Sequence, residues 1–153
     1  METSGYTTAG GIEVEVTASD VPETVLEDVV TTLGERRGGV LSSGMEYPGR
    51  YSRWHLAYVD PCLEIVARGR RISARALNAR GRVVLPAVAS CLLATGKPTG
   101  EPTAEHVEVY VAESEDILPE EMRSRRPTVF TAIREVIAAF KGENEQLGLF
   151  GSF

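Results

Sequence analysis

The chain has 153 residues, of which 42% are hydrophobic and 25% charged, with a formal net charge of −6. That is length for one domain with a buried core, and a composition that excludes collagen-like, low-complexity and disulfide-scaffold classes. No apolar run approaches the roughly eighteen residues needed to span a bilayer, and the polar first ten residues lack the apolar centre of a signal peptide.

Residues 1–10 are small and polar and read as a disordered N-terminus. Ile12, Val14 and Val16 then alternate with Glu13, Glu15 and Thr17, the period of a half-buried strand. Asp20 and Glu23 flank Pro22 like a capping box, and Val21, Val25, Val29 and Leu33 follow at spacings of four, which predicts a helix over 21–34. The stretch from Val40 to Trp54, V-L-S-S-G-M-E-Y-P-G-R-Y-S-R-W, combines paired hydroxyls, two arginines and three aromatics. Arg50 and Arg53 suit a carboxylate, and Tyr47, Tyr51 and Trp54 suit an aromatic ring, so the stretch can wall a pocket for a small anionic molecule. A strand–turn–strand with a Tyr-Pro-Gly corner is the plain alternative.

His55 to Val59 reads as a strand ending at Asp60-Pro61, and Leu63–Ala67 and Ile72–Leu77 as a hairpin closed at Arg68-Gly69-Arg70. Gly81 marks a turn, Val83–Ala94 a helix, and Thr95–Pro102 a loop in which a lone Gly-Lys pair lacks phosphate-loop spacing. Val107–Val111 is a further strand, residues 113–126 an exposed connector, and residues 128–141 the clearest helix, with Gly142 just past its end. The last residues, L-G-L-F-G-S-F, form an apolar strand whose exposed edge would invite aggregation, so the natural chain is expected to continue beyond it. Together these elements predict an α+β fold: an antiparallel meander or sandwich of short strands with flanking helices.

Charge is uneven. Residues 51–100 carry eight bases and two acids between two acidic flanks. Most of those arginines cluster at Gly69 and Gly81, which favours solvated hairpin corners over a nucleic-acid patch. Cys62 and Cys91 have neither metal nor disulfide spacing and read as buried, reduced thiols of a cytoplasmic protein. His55 and His106, far apart in sequence, make no metal or triad pattern, and Glu101, Glu105 and Glu108 make at most an acidic patch. No catalytic set and no metal or cofactor site emerges from the residues themselves.

The run Tyr47-Pro-Gly-Arg-Tyr-Ser-Arg-Trp54, with V-L-S-S before it and H-L-A-Y-V-D-P-C-L-E-I after it, resembles the N-terminal region of anthranilate synthase component I, in the bacterial form fused to its glutamine amidotransferase. The resemblance extends from about Val40 to Phe153. It implies that residues 11–153 are the tryptophan-regulatory segment of a chorismate-utilising synthase, with part of that enzyme's sheet-and-helix core. The full-length enzyme would make anthranilate and pyruvate from chorismate with Mg2+ and ammonia from the amidotransferase. Its chorismate and metal sites would lie in the C-terminal part, outside this sequence, so the segment alone would be inactive.

The resemblance further implies an L-tryptophan effector site at Ser42 and Ser43. Ser43 falls on the serine of the family's motif, and Ser42 stands where the motif has an acid. Glu46 could supply the missing carboxylate, and Arg53 matches a basic residue facing the effector. Expected partners are the C-terminal chorismate-binding part, the amidotransferase part and L-tryptophan, with no nucleic acid and no membrane. Two other readings stay open: an aminodeoxychorismate-type synthase of secondary metabolism, and a stand-alone small-molecule-binding domain.

Overall fold

A computed structural model describes residues 2–22, 24–43, 47–48, 54–113 and 126–142. In chain order its elements are β1 (Glu2–Thr7), β2 (Glu13–Ala18), α1 (Val25–Thr32), β3 (Gly38–Ser43), β4 (Trp54–Val59), β5 (Leu63–Arg68), β6 (Arg71–Ala76), α2 (Ala79–Thr95), β7 (Lys97–Pro98), β8 (His106–Tyr110) and α3 (Val129–Ala139). The fold is α+β, as the alternation of short strands and amphipathic segments predicts. The acidic connector beyond Glu113 and the apolar tail lie outside the described residues. The described residues form two compact units, one over Thr17–Pro61 and one over Ser4–Val16 and Cys62 onward.

The second unit holds the core. Its sheet runs β5-β6-β8-β7, antiparallel throughout. In register, Ala67, Ile72 and Val109 form one row and Ile65, Ala74 and Val107 the next, so they share a face. Of these, Ile72, Ala74, Val107 and Val109 form the core with Leu85, Val88 and Leu92 of α2 and Val129, Ala132 and Val136 of α3. Ile72, Ala74, Leu92, Val109, Val111 and Ala132 are 0% exposed, while Ile65 and Ala67 on the outer strand stay exposed. The helices supply every third or fourth residue because only one stripe of each faces the core: α2 lies on the sheet and α3 packs against α2. On the opposite face Arg75 pairs with Glu64 at 2.8 Å and Arg71 with Glu108 at 3.4 Å. That face carries the charge of a solvated sheet surface.

Several expectations need correction. Gly81 is not a turn: it lies in the first turn of α2, which begins at Ala79 rather than Val83, capped by the Asn78 side chain accepting from the Gly81 N–H at 3.1 Å. A Cβ at Gly81 would stand 2.0 Å from the Cys62 carbonyl oxygen, so the helix can approach the hairpin only where a side chain is missing. Arg80 and Arg82 therefore lie on a helix, and Arg82 pairs with Glu105 at 2.8 Å. The presumed acidic patch is thus largely engaged by basic partners. Lys97 and Pro98, expected in a loop, form a short edge strand against Tyr110 and Val109.

Arg70 is not a solvated corner residue either. Gly69, at φ +58, takes the left-handed position of the β5–β6 turn and leaves Arg70 to reach inward. Its Nε donates to the Val111 carbonyl at 2.6 Å, and its Nη2 to those of Ala112 at 2.5 Å and Pro127 at 2.9 Å. Cys62 and Cys91 are free but half-buried rather than buried. The first ten residues, expected to be disordered, include β1, which pairs with β2. At the β1–β2 turn the N–H groups of Ala9 and Gly10 donate to the carbonyls of Lys141 at 2.9 Å and Ala139 at 2.8 Å. They satisfy acceptors that the end of α3 would otherwise leave unpaired.

In the first unit, α1 starts at Val25 rather than Val21, and Thr24 makes no side-chain cap. Asp20 therefore is not the cap, and Glu23 lies outside the described residues. The strand predicted over His55–Val59 gains Trp54 and pairs antiparallel with β3, Gly38 opposite Val59 and Ser43 opposite Trp54.

The Gly81 contact gives a direct test. Gly81→Ala is expected to destabilise the chain by about 1–3 kcal/mol through overpacking, measured as a lowered urea midpoint. Gly100→Ala, whose Cβ would meet nothing within 4 Å, is expected to leave that midpoint unchanged.

Candidate functional site

The candidate site is the β3–β4 ribbon. Cross-strand partners in an antiparallel pair share a face and successive residues alternate. One face therefore carries Gly38, Val40 and Ser42 with Val59, Ala57 and His55, and the other Gly39, Leu41 and Ser43 with Tyr58, Leu56 and Trp54. Ser42 and Ser43, read together from the sequence, consequently lie on opposite faces. A ligand resting on one face meets the side chain of only one of them.

The Ser42 face is partly occupied. A Cβ on Gly38 would stand 2.3 Å from Leu33 Cδ2, which places Leu33, just past α1, against that face. Ser42 Oγ lies 2.9 Å from Nδ1 of His55, both of them exposed. A single histidine carries no signal of such a pairing in the sequence, because the register that brings it to Ser42 depends on a partner residue thirteen positions away. The other face carries the larger apolar side chains. Tyr58 lies over Gly39, whose Cβ would meet its ring at 3.0 Å, and Leu41 is 41% exposed.

The ribbon's base is fixed from the turn between α1 and β3. Asp60 takes a left-handed φ of 51, its N–H donates to the Arg37 carbonyl at 2.7 Å, and Arg36 grips its carboxylate with Nε at 3.1 Å and with Nη2. Fork-on-carboxylate geometry holds the end of β4 beside the turn that leads into β3. Tyr47 is 57% exposed. Glu46 and Arg53, predicted to face the effector, lie outside the described residues, as do Arg50 and Tyr51. Among the described residues no group of acids, histidines or cysteines is arranged to hold a metal ion, and no helix is long and apolar enough to cross a membrane.

A shallow groove between α2 and α3 is lined by Ser90, Cys91, Ala94, Thr95, Pro127, Thr131 and Glu135. Burial, and secondarily the Glu135 carboxylate, push the Cys91 thiol above its usual pKa. The thiol stays protonated in the fold at a pH where the unfolded chain ionises, so its contribution to stability is complete below the unfolded pKa and is lost as pH rises through the folded one. Cys91 is expected to alkylate with iodoacetamide at about pH 8 more slowly than free cysteine, because the thiolate is the nucleophile. Peptide-resolved mass spectrometry reads the rate.

Across 156 aligned residues, and over its whole length, the chain is 42% identical to a protein of Azospirillum brasilense named anthranilate synthase. The chain spans 21% of that relative's length. No family model matches the chain, and no solved structure matches it. This chain is, along its full extent, a relative of part of an anthranilate synthase, the family that its Tyr47–Trp54 run resembles.

Proposed function

We propose that this chain is the N-terminal regulatory segment of an anthranilate synthase of tryptophan biosynthesis. The observation that carries the reading is the 42% identity over the whole chain, to a relative of which it spans 21%. That relative is several times longer than this chain, which leaves room for a chorismate-binding part and a fused glutamine amidotransferase. The complete enzyme would convert chorismate, with ammonia from glutamine, to anthranilate and pyruvate. Mg2+ would be held by its C-terminal part, with no metal or chorismate site in this segment.

The effector on this reading is L-tryptophan, held by the Ser43 side chain with Glu46 and Arg53, while Ser42, whose side chain lies on the opposite face, takes part only through its backbone. The physical support is the composition of the ribbon. Leu41, Leu56 and Tyr58 offer an apolar surface suited to an indole, and Ser43 sets a hydroxyl on that same face. The sequence then runs into Glu46 and Arg53, whose charges match an ammonium and a carboxylate. Tryptophan inhibits on this mechanism only as far as it binds one arrangement of the enzyme better than another.

A second reading has one observation in its favour. Ser42 replaces the acid of the family's motif, and its hydroxyl is already matched with His55 at 2.9 Å. An aminodeoxychorismate-type synthase of secondary metabolism, without tryptophan control, would tolerate that loss.

Tryptophan inhibition of the full-length enzyme separates the two. On the first reading Ser43→Arg raises the inhibition constant by about 5–150-fold, the range of ordinary coupling energies, with kcat retained. An unchanged inhibition constant in that variant sinks the effector site, and a wild-type enzyme indifferent to tryptophan favours the second reading.

A further inference from the structure

The β3–β4 ribbon has little along its length to fix how its strands are paired. Register is strongly specified where one face of a strand is buried, and weakly where strands are glycine-rich and open on both sides. β3 begins Gly38-Gly39, no described residue of either strand is fully buried, and neither strand contains Asp, Glu, Lys or Arg. Nor does the connection set it. Residues 44–53 separate the strands, whereas turn-fixed registers belong to loops of about two to five residues. A slip matters because the side-chain period is two. Moving β3 by one residue carries Leu41 and Ser43 together from the face of Leu56 and Tyr58 to that of His55 and Ala57. The effector face would then lose its leucine and its hydroxyl at once.

The discriminating contact lies at the ribbon's base. One position beyond the Gly38–Val59 pair, the Asp60 N–H donates to the Arg37 carbonyl at 2.7 Å. One further, Arg36 places Nε on Asp60 Oδ1 at 3.1 Å and Nη2 on Oδ2. The left-handed φ of 51 at Asp60 marks the end of β4, and Pro61 after it has no N–H to extend the ladder. A one-residue slip moves one strand about 3.4 Å along the other, enough to lose a fork that needs both carboxylate oxygens in line. Two other contacts depend on the register, the Tyr58 ring over Gly39 and the Ser42–His55 bond, and neither pairs opposite charges. Arg36 and Asp60 are 54% and 39% exposed, and an exposed pair adds little to overall stability. Register asks for little, since native and slipped pairings of an unburied ribbon differ by no buried apolar contact. We infer that the Arg36–Asp60 fork is the register lock of the ribbon and thereby positions the effector site, acting through the strand pairing and not on the effector. The lock stands on the ribbon's own geometry; its consequence for tryptophan rests on the function proposed above.

Cysteine pairs in the full-length enzyme read the register directly. Val40→Cys with Ala57→Cys joins native cross-strand partners within disulfide reach, whereas Leu41→Cys with Ala57→Cys joins residues on opposite faces until β3 slips by one. With Arg36 in place, mild oxidation is expected to bridge positions 40 and 57 and not 41 and 57. Adding Arg36→Met is expected to weaken the first bridge and produce the second, as identified by peptide mass spectrometry. Without the cysteines, Arg36→Met is expected to raise the tryptophan inhibition constant on the order of tenfold, with kcat and the KM for chorismate retained. Asp60→Asn, which keeps a residue tolerant of the left-handed region and removes the charge, is expected to do the same, and the two changes together no more than either alone. Arg36→Lys, a charge without the fork, is expected to fall between. An unaltered bridge pattern in Arg36→Met overturns the lock. So does a loss of kcat matching the rise in the inhibition constant, which marks general damage. A shifted bridge pattern with unchanged inhibition upholds the lock and refutes the effector site instead.

Discussion

The arrangement of the second unit depends on one guanidinium. Arg70 donates to the carbonyls of Val111, Ala112 and Pro127, acceptors that flank the long acidic connector on both sides. Drawing the ends of such a connector together has an entropic cost that grows slowly with its length. A single planar donor fork offsets part of that cost, with bonds stronger than those of neutral donors. The consequence reaches the core. With Pro127 held beside the end of β8, α3 starts at Val129, and its capping box between Thr128 and Thr131 sets the helix phase. That phase turns Val129, Ala132 and Val136 into the core cluster, with α3 against α2. Replacing the guanidinium by an ammonium would supply the charge without the fork that meets three carbonyls.

The elements most legible in the sequence were those with a strong local period. The β5–β6 hairpin and β8 were read to within a residue, and α3 to within two, because alternation and the three-four spacing of apolar residues survive without knowledge of neighbours. What escaped was tertiary. Gly81 read as a turn because glycine usually is one, yet its use is a close approach of helix to strand end, visible only when Cys62 is placed. Arg70 read as a surface charge for the same reason: its acceptors lie 41 to 57 residues away. Residues 1–10 read as disordered because nothing in their composition shows that Ala9 and Gly10 meet the last carbonyls of α3.

The candidate site was legible in composition and not in geometry. Adjacent serines in a motif invite a joint role, but strand pleating sets Ser42 and Ser43 on opposite faces. His55, passed over as a lone histidine, proves to be Ser42's cross-strand partner. Glu46 and Arg53 belong to the stretch between the paired strands, so their part in any site remains a matter of the sequence alone. The resemblance found in the Tyr47–Trp54 run is upheld by identity across the whole chain. The regulatory role derived from it stands as a proposal.

The unequal burial of the two units bears on how such regulation can work. Moving a segment that owns a packed core breaks nothing inside it, but a ribbon without buried residues has its position set by whatever covers it. On the function proposed here, an effector at the rim of the Leu41–Tyr58 face competes with, or adds to, the same contacts that hold the ribbon in place. Its differential affinity for the two arrangements then appears directly as coupling, without any relay through the β5–β8 core. Regulation by a few kcal/mol is available to such a segment because a weakly packed element can shift without unfolding the second unit.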